Sequence, residues 1–85
     1  STDVMTINLA EHNSFLTRGV LKNLLNSVDD GRRIVISSHR TISIDHDVLE
    51  VIDQFIIEAK TKDIQVKLEG PHFEFDQENK LKEVA

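Results

Sequence analysis

The sequence contains no cysteine, tryptophan or tyrosine, and only one proline, among its 85 residues. Without cysteine, the chain can form no disulfide bond, no thiolate nucleophile and no cysteine-type zinc site. Without Trp and Tyr, the core must be built from Ile, Leu and Val around the four phenylalanines. We expect a single domain over residues 1–85, near the lower size limit for a self-sufficient core.

Long apolar runs and an excess of basic residues are also missing. No run approaches the roughly 20 apolar residues that a membrane span needs, and no signal-peptide pattern is present. The net charge of −5 argues against nucleic acid as a partner, because nucleic-acid binding requires a basic surface. The sequence therefore predicts a soluble domain with no direct membrane insertion.

Hydrophobic periodicity predicts strands and helices in alternation. The first strand has apolar side chains at every second position, at Met5, Ile7 and Leu9. A helix is predicted to follow, with Thr17 as its N-cap and Gly31 as its stop signal. Its apolar residues repeat with helical spacing and are expected to form one face: Val20, Leu21, Leu24, Leu25 and Val28.

The second half repeats this order. Residues 33–37 are a short β-branched run, typical of a central strand that is buried on both faces. A second helix is predicted from Val48 to about residue 60, and residues 64–68 alternate as a strand with one wet face. The apolar stripe of that helix consists of Val48, Val51, Ile52, Phe55, Ile56 and Ala59.

This order predicts a small α/β sandwich, with a mixed or mostly parallel sheet and helices packed mainly on one face. In such sheets, ligands and partners bind at the carboxyl ends of strands and at the helix starts beyond them. Residues 37–47 occupy that position. In the tail, Asp76 is expected to cap a short helix that carries Leu81 and Val84.

The triplet Asp45-His46-Asp47 is the most concentrated group of chemically active side chains. Adjacent side chains diverge, whereas a metal-binding pair on a helix has i, i+3 or i, i+4 spacing. Asp47 and Glu50 have the spacing of a capping box, so we predict Asp47 as the helix N-cap. A metal site or enzyme centred on Asp45, His46 and His39 is the less favoured alternative.

The same stretch contains candidate residues for nucleophilic catalysis. Ser37, Ser38 and Ser43 lie near His39 and His46 in the sequence, and a Ser–His pair is conceivable there. However, no set of nucleophile, base and orienting group can be assembled from these residues. Glycine-rich phosphate-binding loops are absent too. We expect no enzymatic activity and no cofactor.

The stretch RTISIDHDVLE, residues 40–50, resembles the strand–loop–helix junction of the STAS domain. STAS is the fold of anti-sigma factor antagonists and of the cytosolic tail of SulP-type anion transporters. In the antagonists the junction reads Asp-Ser-Ser-Gly-Leu, and a partner kinase phosphorylates its first serine. Here Asp45 matches the aspartate, His46 stands where that serine would be, and Leu49 matches the leucine.

The resemblance extends over about residues 4–70 and is greatest to a bacterial SulP subgroup with a related Arg-Thr-x-x-Ile-Asp-His-Asp-Val-Leu-Glu run, which Arg40, Thr41 and residues 44–50 match. The run FLTRGVLKNLL is similar to that subgroup's first helix. The chain departs from the pattern at Ser37 and His39, where an aspartate and a serine are common. The resemblance implies a cytosolic regulatory or assembly domain for transport of sulfate, bicarbonate or a related anion.

The implied partner is the transporter's membrane domain in the same full-length chain, on the cytoplasmic side of the inner membrane. A cytosolic protein or a second copy of the domain is a further candidate. The runner-up is a free-standing signalling protein that resembles the anti-sigma factor antagonists. The implied interaction surface comprises Ser38, His39, Arg40, Thr41, Asp45, His46, Asp47, Leu49 and Glu50.

Two residues of the second helix fall off its main apolar stripe. Leu49 and Ile57 lie two turns apart on a neighbouring face. They are expected to extend the core contact, because small α/β domains wrap their helices broadly. The alternative is a patch for a partner or for self-association, which requires both side chains to be exposed.

Overall fold

The computed structural model describes residues 4–75 and 81–82. Its elements, in chain order, are β1 (Val4–Asn8), β2 (His12–Asn13), α1 (Phe15–Asn26), β3 (Arg33–Ser37), β4 (Ser43–Ile44), α2 (His46–Ala59), β5 (Gln65–Glu69), β6 (Glu74–Phe75) and β7 (Leu81–Lys82). Within these described ranges, neither helix combines the length and the apolar character that crossing a membrane requires.

The main sheet has the strand order β1-β3-β5, and both of its strand pairs are parallel. Ile7, Ile36 and Leu68 lie side by side across the three strands. Along the chain, α1 lies between β1 and β3, and α2 lies between β3 and β5. This confirms the predicted α/β class with a mostly parallel sheet.

Both helices pack on the same face of the sheet. Ile34 and Ile36 of β3 point to that face and are fully buried, whereas Arg33 is exposed and Val35 is half-buried. The helical residues in the same apolar cluster are Leu21, Leu25, Val48, Ile52, Phe55 and Ala59. The prediction that β3 is buried on both faces is therefore wrong, because only one face is covered by helices.

The N-terminus of α1 differs from its prediction. Ser14, not Thr17, is the N-cap, and its hydroxyl accepts a hydrogen bond from the Leu16 N–H at 3.2 Å. Thr17 lies in the first turn, where its hydroxyl donates to the Ser14 carbonyl at 2.8 Å. The helix ends at Asn26, and Gly31 lies further on, in the turn before β3, with a φ of 81°.

The apolar residues of α1 divide between two faces. Leu21 and Leu25 are buried in the core, and Val28 is buried just after the helix, as predicted. Val20 is 72% exposed and Leu24 is 38% exposed, so assigning these two residues to the core face was wrong. Sequence periodicity alone did not separate the two faces.

The tail also departs from expectation. After β5 the chain forms β6, which pairs antiparallel with β7 and places Phe75 opposite Leu81. Leu81 therefore belongs to a strand and not to the predicted short helix. Asp76 and Val84, the other residues of that prediction, lie outside the described residues.

Candidate recognition surface

The main chain that leads into α2 is fixed by hydrogen bonds to the loop after β1. The N–H groups of Ile42 and Ser43 both donate to the Glu11 carbonyl, at 2.8 and 3.0 Å. Two residues further on, the Asp45 N–H donates to the Asn13 carbonyl at 2.8 Å. These bonds belong to the short parallel pairing of β2 with β4. The start of α2 is thus anchored at the carboxyl-end side of the sheet.

Helix α2 begins one residue after Asp45, which is its N-cap, with φ −71° and ψ 151°. The Asp45 carbonyl accepts hydrogen bonds from the N–H groups of Val48 and Leu49, at 3.0 and 3.2 Å. The prediction of Asp47 as N-cap is wrong, because β4 runs almost directly into the helix and Asp47 lies in the first turn. There its carboxylate lies 3.9 Å from the guanidinium of Arg18 in α1.

Ser38 is fully buried, and its side chain makes hydrogen bonds within the fold. Its hydroxyl donates to the Glu69 carbonyl and accepts from the His72 N–H, both at 3.3 Å. Gly70 packs against it with a φ of 112°, and a Cβ there would overlap the hydroxyl and lie 2.9 Å from the Ser38 carbonyl carbon. Ser38 is therefore not available for docking, contrary to the prediction.

Two further residues of the predicted surface are buried. Thr41 is 8% exposed; its hydroxyl donates to the Ala10 carbonyl at 3.0 Å, and its own carbonyl accepts from the His72 ring at 2.8 Å. Leu49 is 4% exposed, whereas Ile57 is 55% exposed. Leu49 thus extends the buried face of α2 and leaves Ile57 alone, so the proposed two-residue patch does not exist.

Six predicted residues retain accessible side chains, and we call them the recognition surface: His39, Arg40, Asp45, His46, Asp47 and Glu50. The ring Nε2 of His46 lies 2.9 Å from Oε1 of Glu50, one turn along α2. His39 Nε2 lies 4.0 Å from a carboxylate oxygen of Glu69, and Arg40 Nε donates to the Leu9 carbonyl at 3.3 Å. The surface presents charged and imidazole groups held on a fixed backbone.

The two candidate nucleophiles Ser37 and Ser43 have other hydrogen-bond partners. The Ser37 hydroxyl accepts from the His39 N–H at 3.3 Å, and Ser43 Oγ lies 2.9 Å from Nδ1 of His12. Throughout the part of the chain that the structure describes, no group of three or more His, Asp or Glu side chains is arranged to hold a metal ion.

Sequence reasoning missed two residues that hold this surface together. Asn13 is buried, and its side-chain amide donates to the carbonyls of Ala10 and Ser43, at 2.8 and 3.3 Å. The His72 ring reaches Thr41 across 31 positions of sequence; since a carbonyl only accepts, Nε2 carries the proton. The side-chain amide of Asn13 has two N–H donors and can therefore bridge two carbonyls. No local sequence pattern predicts the distant partners of Asn13 and His72, which are Ser43 and Thr41.

No protein-family model matches this chain, and no match exists among curated proteins or among solved structures.

Proposed function

We propose that this domain acts by protein recognition through the recognition surface. The observation that carries the proposal is the pairing of a fixed backbone with exposed charged side chains. Asp45 is anchored to Asn13, while the side chains of His46 and Glu50 are 60% and 65% exposed. Binding residues are commonly carried on loops that a rigid scaffold positions, and contacts on a preorganised backbone lose less entropy on binding.

The whole protein we propose is a SulP-type anion permease, for which this domain is the cytosolic regulatory or assembly module. Support comes from the resemblance of residues 40–50 and from an α/β architecture compatible with it. The partner is then the membrane domain of the same full-length chain, which carries sulfate, bicarbonate or a related anion. The domain itself needs neither a cofactor nor catalytic groups for this role.

A free-standing signalling protein similar to the anti-sigma factor antagonists is the second candidate. It is favoured by one observation, the accessibility of the side chain at position 46. A kinase must reach this position in the antagonists, and here it carries an imidazole between two carboxylates, Asp45 and Asp47. Permanent negative charge beside the position resembles a locked phosphorylated state.

The complete open reading frame separates the two candidates. A permease predicts ten or more apolar segments upstream, each about 20 residues long. An antagonist-like protein predicts a start codon close to Ser1 and a kinase gene nearby.

An uptake measurement then tests the role of the surface. In cells that produce the full-length protein, Glu50→Lys is expected to change uptake of radiolabelled sulfate or bicarbonate. The matched control is Asp30→Lys, an exposed residue in the turn that precedes β3. Equal uptake by wild type and Glu50→Lys, with equal protein levels, contradicts the proposal.

A further inference from the structure

Helix α2 and the residues that lead into it lack positive charge. Residues 41–59 contain no lysine or arginine but five carboxylates, at Asp45, Asp47, Glu50, Asp53 and Glu58. A glutamate or aspartate one turn from a lysine or arginine stabilises a helix, but α2 contains no basic residue with which to form such a pair. The negative charge of this segment is therefore balanced only by groups outside it.

The accessible side chains of α2 form two rows. One row faces α1, since Asp47 lies 3.9 Å from Arg18 and Glu58 lines a groove together with Lys22. The second row, which we call the outer stripe, consists of His46, Glu50, Asp53 and Ile57. At about 100° per residue, its four positions fall within about 60° of one another, roughly 110° around the helix from the first row. The cations of α1 thus lie beside the first row and not beside the outer stripe.

The outer stripe is accessible along its whole length. The side chains of His46, Glu50 and Ile57 are more than half exposed, and Asp53 is partly exposed. The buried residues of α2 lie on the other side of the helix: Val48, Leu49, Ile52, Phe55 and Ala59. At 1.5 Å per residue the stripe is about 16 Å long, the length of about five residues of extended chain. It extends the recognition surface from the start of α2 along the helix.

Charge argues against two possible occupants of the outer stripe. The sequence of the undescribed residues 1–3, 76–80 and 83–85 contains four carboxylates and one lysine. A second copy of the chain carries a net charge of −5, and a symmetric contact would place two acidic stripes against each other. Such juxtaposition of like charges is unfavourable. A partner with the opposite charge complements the stripe better than either.

We propose that the outer stripe binds a polypeptide segment that carries at least two lysine or arginine side chains and one apolar side chain. The two cations face Glu50 and Asp53, which are about 4.5 Å apart along the helix axis. The apolar side chain contacts Ile57, two turns beyond the recognition surface's first residue of α2. Electrostatic complementarity then selects the partner and the register of the contact.

This inference rests on the proposed function, which makes the membrane domain of the same full-length chain the partner. Short loops on the cytoplasmic side of a membrane protein carry an excess of lysine and arginine. One such basic loop is therefore the occupant that we assign to the outer stripe. Its approach to Glu50 also disturbs the His46 ring, whose Nε2 lies 2.9 Å from Oε1 of Glu50.

The test uses a synthetic twelve-residue peptide with four lysines and two leucines among alanines. It is added to the isotope-labelled 85-residue chain at about 50 mM salt and followed by NMR. The amides of Glu50, Asp53 and Ile57 and the ring of His46 are expected to shift. Raising the salt to about 500 mM should weaken binding about tenfold or more, because exposed charges are screened. A peptide with glutamate in place of lysine is the control and should not bind.

Two variants with the same change in net charge locate the contact. Asp53→Lys reverses a charge of the outer stripe and is expected to weaken peptide binding about tenfold or more. Asp30→Lys, in the exposed turn before β3, should change it less than about threefold, through the net charge alone. Asp53→Asn removes the charge with little change of shape and should give a smaller loss than Asp53→Lys. Amide spectra check that all three variants are folded.

Three results would overturn the proposal. One is equal peptide affinity of Asp53→Lys and Asp30→Lys, because the peptide would then respond to net charge alone. Another is a dimer of the chain alone in which the outer stripe is covered. The third is a crosslink, in the full-length protein, from a photo-reactive residue at position 57 to a segment without lysine or arginine. That crosslink would leave the proposed function intact, whereas failure of the proposed function appears as no crosslink from the start of α2.

Discussion

The imidazole Nε2 of His46 lies 2.9 Å from Oε1 of Glu50, one helical turn further along α2. Both side chains are more than half exposed, and pairs of this kind on a helix contribute only about 0.3–0.5 kcal/mol to stability. The contribution of the pair to stability is thus too small to explain its presence. Its position at the anchored start of α2 suits contact with a partner.

Replacing Glu50 by glutamine should separate these two roles. We expect Glu50→Gln to change the free energy of unfolding by less than about 0.5 kcal/mol, because the pair is exposed to solvent. The same change should weaken binding to the partner, since it removes a charge from the recognition surface. Urea unfolding and a binding measurement on the same sample check this. A large loss of stability would mean that the pair is part of the framework.

Gly70 should be intolerant of any side chain. Gly70→Ala places a Cβ against Ser38 and forces a non-glycine residue to a φ of 112°, so we expect a loss of about 1–3 kcal/mol or more. The control is Gly19→Ala, inside α1, where nothing lies within 4 Å of the added Cβ. That change should stabilise the chain by about 0.5–1 kcal/mol. Urea unfolding of both variants gives the comparison, and equal stabilities would contradict it.

Leu49 and Ile57 should respond to truncation in different ways. Leu49→Ala removes a side chain that is 4% exposed and should cost about 2–4 kcal/mol of unfolding free energy. Ile57→Ala removes one that is 55% exposed and should stay within about 0.5 kcal/mol of wild type. Thermal and urea unfolding measure both. Similar losses for the two variants would show that Ile57 is covered in solution.

The alternation of strands and helices followed from local patterns, because strand and helix periods are local properties of a sequence. The buried face of α1 could not be assigned from a local pattern. Apolar residues at Val20 and Leu24 continue the spacing of Leu21 and Leu25, and no local pattern shows that one row is buried and the other exposed. Which row faces the core depends on how the whole helix packs in the fold. The exposure of Val20 and Leu24 is therefore visible only in three dimensions.

In the candidate site, too, local patterns predicted some features and missed others. The sequence located the loop before α2, since an aspartate-rich start precedes an apolar helical stripe. It placed the N-cap two residues late, because the pairing of β2 with β4 brings the chain to the helix already at Asp45. It also placed Ser38 and Thr41 on the surface. Both are buried by bonds to carbonyls about thirty positions away, which no local pattern encodes.

The proposed function requires that the start of α2 contacts another protein segment. The most direct test is a photo-crosslinking amino acid placed at position 46 of the full-length protein in its own cells, with the same probe at position 30 as the control. We predict a crosslink from position 46 to the membrane domain of the same protein, and none from position 30. If position 46 gives no crosslink above the level of position 30, the start of α2 is not a contact surface in the full-length protein, which contradicts the proposed function.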